Sequence, residues 1–227
     1  MSETDSFIEE VTEEVRRDRL FGLMRRYGWI AVLAVLLLVG GAAYNEWSKA
    51  KTRAQAEATG DAMIAALRDN DPLKRAVALG ELDSESPGAR AVAVMLAAGE
   101  QVTTGDFDLA AKALQTLVDD GELPLVYRQV AGFKRLMILG SDLSVEDRRK
   151  GYEALIGPGS QLRLLAEEQL ALIDIETGET KAAAERLQAI ISDAEATPGL
   201  RQRASQLMVA MGVEPELIPG TQGEADQ

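Results

Sequence analysis

The chain contains no cysteine and no histidine. Without cysteine there is no disulfide framework and no thiolate metal site, so the chain is compatible with an oxidising compartment but does not require one. Without histidine, the usual base for activating a serine or cysteine nucleophile and the commonest zinc ligand are both missing. A carboxylate-only or serine–lysine enzyme stays chemically open, but no motif points to one. The sequence therefore predicts a non-enzyme with no catalytic residues, cofactor, metal or small-molecule substrate. Aromatic residues are scarce, at 4 %, which leaves alanine and leucine to fill the interior, as in closely packed helices. Basic residues are outnumbered 24 to 37, and the resulting negative field repels phosphate backbones, which argues against nucleic acid as a partner.

The acid excess does not resolve into a calcium site. Asp119-Asp120-Gly121-Glu122 and Asp106-Phe107-Asp108 lack the alternating carboxylates that an EF-hand loop requires. Their place at expected helix ends makes them caps and turns.

One long run is free of charge, from Tyr27 to Asn45. Nineteen residues of helix span roughly 28 Å, close to the thickness of a bilayer's hydrocarbon core. Trp29 at one end and Tyr44 with Trp47 at the other suit the headgroup level, because each ring is part apolar and part polar. Arg16, Arg17, Arg19, Arg25 and Arg26 precede the run, against Lys49, Lys51 and Arg53 after it. This bias predicts a cytoplasmic N-terminus. The long acidic segment ahead of the run is unlike the short basic start of a cleavable signal peptide, so the run reads as an uncleaved anchor.

The expected organisation is a cytoplasmic amphipathic segment (1–26), a transmembrane helix (27–45), a helical domain (46–212) and a disordered tail (213–227). In the first segment, Ser6 to Glu9 fits a capping box, and Ile8, Val11 and Val15 share one face at helical spacing. That stripe is either part of a topogenic helix or a docking face for a partner. Gly40 and Gly41 with Ala42 and Ala43 form a small-residue surface on which another membrane helix could pack. Beyond the run, Ala50, Ala54, Ala58 and Ala62 recur on one helical face.

From there the chain repeats. Helix starts marked by Pro87, Pro124 and Pro198, with a loop ending at Ser160-Gln161, recur at a common spacing, and second starts fall at Pro72, Asp106, Ser144 and Glu179. This predicts about four helix-turn-helix units and a closing helix from Leu200 to Met211. Thr104-Gly105-Asp106 through Leu114-Gln115 aligns with Thr177-Gly178-Glu179 through Leu187-Gln188: glycine ends one helix, Ala110 or Ala183 lets two helices cross, and leucine fills the gap. The segment resembles a tetratricopeptide repeat, in a divergent form, since Val94, Gln101, Glu167 and Asp174 occupy early positions where that family has aromatics. The resemblance implies an all-α solenoid that binds proteins. In the most apolar unit, Tyr127, Phe133 and Met137 could line a peptide groove, although packing between neighbouring units is the better account of them.

An acidic N-terminal helix, the Arg25-Arg26-Tyr27-Gly28-Trp29 boundary, Asn45-Glu46-Trp47 and the repeats beyond together resemble the bacterial ancillary SecYEG translocon subunit family. That resemblance implies a single-pass inner-membrane protein with a periplasmic helical domain. Its expected partners are Sec channel subunits, periplasmic chaperones or unfolded clients. The alternative is a scaffold for another cell-envelope complex.

Overall fold

The computed structural model describes the backbone of residues 3–216 and, apart from Ala31, the side chains from Arg25 onward. Among the described residues every regular element is helical. The chain divides into two compact units, Met1–Ala58 and Thr59–Gln227.

The described residues of the first unit are all helical. They belong to α1, Glu3–Ala66, which starts ahead of Ser6, so position 6 lies inside the helix and not at its N-cap. The described part of α1 contains a segment long and apolar enough to cross a membrane, and none of that segment is buried. At its start the Arg26 guanidinium lies 5.9 Å from the Tyr27 ring centroid, a cation–π contact. At its end Tyr44 and Trp47 stand 6.1 Å apart between ring centroids.

The second unit is a series of helical hairpins: α2 (Pro72–Gly80), α3 (Pro87–Thr104), α4 (Phe107–Asp119), α5 (Leu125–Leu139), α6 (Val145–Glu153), α7 (Arg163–Glu176), α8 (Thr180–Ser192) and α9 (Pro198–Ala210). Their starts are local chemistry. The Asp71 carboxylate accepts from the Leu73 N–H at 2.9 Å, and the Ser86, Ser144 and Thr197 hydroxyls accept from Ala89, Asp147 and Leu200 N–H groups. Each satisfies a donor that the first helical turn leaves without a partner. Pro72, Pro87 and Pro198 open their helices, where a missing N–H costs nothing.

Two helix ends share one geometry. Gly105 and Gly178 have φ of 87° and 79°, a left-handed conformation that side chains disfavour. At the first, Asp106 N–H donates to Gln101 C=O and Gly105 N–H to Val102 C=O. At the second, Glu179 N–H donates to Asp174 C=O and Gly178 N–H to Ile175 C=O. Both are Schellman closures, and they turn α3 into α4 and α7 into α8. The sequence similarity of the two segments is thus a similarity of backbone path.

Each helix from α2 to α9 packs on the next, so the core is built between neighbours. Ala91, Ala110, Leu114 and Ala131 join α3, α4 and α5. Leu136, Tyr152, Ala166 and Leu170 join α5, α6 and α7. Ala171, Leu187, Leu200 and Ala204 join α7, α8 and α9. Ala110 and Ala183 are fully buried, as close helix crossings require, and the fully buried Leu114 and Leu187 each contribute about 1.5–3 kcal/mol through lost water contact.

Three local readings are corrected. α7 begins at Arg163, after Ser160 has accepted from the Leu162 N–H. α9 spans Pro198–Ala210, so the closing helix starts at the proline that marks it, where Thr197 caps it, and not at Leu200. Residues 213–216, assigned to the tail on composition, are held against α8: Glu216 N–H donates to the Gln188 side chain at 2.9 Å and the Gln188 amide donates back to Glu216 C=O at 3.1 Å. Residues 217–227 lie outside the described residues.

Candidate functional site

A groove of about 690 Å³ in the second unit is bordered by α5, α7 and α9. Helical spacing creates it: each of the three helices contributes one stripe of residues three, four or seven apart. Phe133 and Met137 come from α5, Leu165 and Leu172 from α7, and Leu207 and Ala210 from α9. Met137 is 56 % exposed, so it serves the groove and not the core. Phe133 is half-buried and fixed from behind by the buried Tyr152, with ring centroids 5.7 Å apart at 66°.

The polar part of the wall is an ion pair. Glu168 is 7 % exposed, and both its oxygens accept from Arg203, from Nε at 2.7 Å and from Nη2 at 2.9 Å. This two-point pairing is geometrically selective and joins α7 to α9 in the groove wall. Gln169 and Gln206 add amides able to donate to or accept from a peptide backbone. The arrangement is an apolar trough with a few fixed hydrogen-bonding groups, which suits binding. Among the described residues no group of three or more potential ligands is placed to hold a metal ion.

A second ionic assembly keeps α6, α7 and α8 in register. Asp174 is completely buried and accepts from Arg149 of α6 and, at 2.9 Å, from Arg186 of α8. Arg186 also pairs with Glu167 at 2.6 Å. Burial disfavours the Arg186 charge, but the Glu167 and Asp174 carboxylates outweigh that and hold its pKa above the ordinary value. Glu167 and Asp174 are two of the positions where the sequence departs from the aromatic pattern of tetratricopeptide repeats. Charge replaces ring there, and the arginines that complete the network come from other helices.

The expected contact residues divide. Phe133 and Met137 meet in the groove. Tyr127 does not: it packs on the α3–α4–α5 core, and its hydroxyl lies 2.8 Å from where a Cβ on Gly88 would stand, so a side chain at position 88 would push the ring aside. Gly40 and Gly41 lie in α1, where an added Cβ would meet nothing within 4 Å. The side chains of Ile8, Val11 and Val15 lie outside the described residues. Leu165 and Leu172 were not singled out from the sequence, since a leucine stripe on a solenoid helix reads the same whether a neighbouring helix or solvent faces it.

Residues 24–137, half of the chain, match the tetratricopeptide repeat-like domain family. The chain belongs to that family. No curated protein and no solved structure matches it. Repeat domains of this kind are protein-interaction modules and are generally not catalytic.

Proposed function

We propose that this is a membrane-anchored protein–protein interaction module, with the Tyr27–Asn45 stretch as its anchor and the groove between α5, α7 and α9 as its binding face. The observation that carries the reading is the exposure of both surfaces: an unburied apolar helix long enough for a bilayer and an open apolar trough. Tethering raises the local concentration of the groove for anything at the membrane without adding a contact. The finer reading, supported by the boundary residues Arg25 to Trp29 and the repeat plan beyond them, is an ancillary Sec translocon subunit. In that role the chain is single-pass in the bacterial inner membrane, N-terminus cytoplasmic and helical domain periplasmic, and links the Sec channel to periplasmic chaperones or emerging clients.

Photo-crosslinking in native membranes tests it. A photoreactive residue at Met137 should capture protein partners, and one at the exposed Lys181 on α8 should capture far fewer. Sec channel subunits among the proteins that copurify with the full chain support the translocon role. Their absence alongside a different envelope complex would leave the interaction module standing and replace the translocon with a scaffold.

A further inference from the structure

α2 opens the series of hairpins and is covered on one side. Its Ala76 and Leu79 are buried, and the helix packs on α3. Away from α3, Leu73 and Val77 are 54 % and 53 % exposed. The end helix of a repeat array ordinarily turns a polar face outward, because no further repeat arrives to cover it. α2 instead offers apolar side chains at i and i+4, one above the other on the same face.

The charges on that face are placed symmetrically. Leu73, Lys74, Val77, Ala78 and Glu81 border one shallow concavity. Val77 and Ala78 form its centre, with Lys74 about one turn before them and Glu81 about one turn after. Both charged residues are exposed, and among the described residues neither side chain has a hydrogen bond or ion pair. Such a surface complements itself. When a second α2 is laid antiparallel over the first, about a two-fold axis between Val77 and Ala78, each lysine faces the other copy's glutamate and the apolar centres meet. An unrelated partner would require no such symmetry of charge.

We infer that two copies of this chain pair through their α2 faces on the membrane. The inference rests on the anchor reading above, for a reason of area. α2 has 9 residues and is about 13 Å long, too short to bury the roughly 1,200 Å² of a stable interface. The contact is therefore weak by itself. Two chains anchored in one membrane with the same orientation are related by a two-fold axis along the membrane normal, which an isologous contact permits, and confinement to the membrane supplies the effective concentration that the contact lacks. The groove and its occupant play no part.

The test is photo-crosslinking of the full chain in native membranes, with a photoreactive residue at Val77 and, as the reference for random collision, one at the exposed Lys181 of α8. Val77 should capture a second copy of the chain, and Lys181 should do so far less. Lys74→Glu or Glu81→Lys alone should lower the yield of crosslinked dimer about fivefold, since by symmetry each reversal turns two attractive pairs into repulsive ones. Both reversals together restore the pairs with their signs exchanged and should recover the dimer, which a purely apolar contact does not predict. A dimer yield no higher at Val77 than at Lys181, a double reversal that fails to recover it, or capture of a different protein at Val77 overturns the inference and leaves the anchor standing. A chain recovered in the soluble fraction instead of the membrane pellet overturns the anchor reading and this inference together.

Discussion

Glu168 of α7 and Arg203 of α9 form a two-point pair in the groove wall, with nitrogen–oxygen distances of 2.7 and 2.9 Å. The carboxylate is almost fully buried while the arginine side chain is 53 % exposed, so the two partners are unequal. Arg203→Met strands a buried charge and should cost about 1–3 kcal/mol, read as a lower melting temperature. Glu168→Gln leaves Arg203 solvated and should cost less. Equal losses would mean the pair is not the asymmetric anchor described here.

Asp174 has the stronger claim on stability. Asp174→Ala leaves Arg149 and Arg186 facing each other across a vacated site, and removing one side of a buried ionic network costs about 3–5 kcal/mol. The expected result is a large drop in thermal stability, partly recovered by adding Arg186→Leu. Thermal unfolding of the single and double variants checks this, and a double variant no better than the single would contradict the account.

Ala110→Trp and Ala183→Trp should each overpack a helix crossing, at about 1–3 kcal/mol or more. Ala194→Trp, in the exposed loop before α9, should cost little. Similar melting temperatures for all three would show that the crossings lie elsewhere.

The pH response follows from the acids. A hydrogen bond from Arg148 lowers the Glu176 pKa, and the Glu195 N–H followed by Arg163 lowers that of Asp193. A carboxylate with a depressed folded pKa contributes stability that is present above its unfolded value, near 4, and is lost as pH falls through the folded value. Stability should therefore be nearly flat from about pH 6 to 8, where histidine would titrate if present, and fall in acid. Glu176→Gln with Asp193→Asn should flatten the acid limb of a melting-temperature profile against pH. An acid limb of unchanged steepness would count against both pairs.

Topology has its own test. A reporter active only outside the cytoplasm should work when fused after Gly212 and fail when fused before Arg16. The reverse pattern would overturn the orientation and the periplasmic placement together.

What was legible in the sequence was whatever a few consecutive residues decide. The helix starts at Asp71-Pro72, Pro87 and Ser144 and the glycine closures at Gly105 and Gly178 depend on side chains and dihedrals within one turn, so they could be read without a partner in view. The crossing alanines were legible because two copies of one pattern marked them. The shape of the apolar run was equally plain, since a stretch without charge carries its meaning in its length. Tertiary structure decided the rest. The groove joins stripes from α5, α7 and α9, and no local rule tells a leucine that faces a neighbouring helix from one that faces a trough. Tyr127 and Met137 look alike in sequence, yet one fills the space over Gly88 and the other stands in solvent. Glu167 and Asp174 read as departures from a repeat pattern until Arg149 and Arg186 arrived from adjacent helices to neutralise them. Burying a charge depends on which distant groups come to meet it, and only the packed chain specifies those.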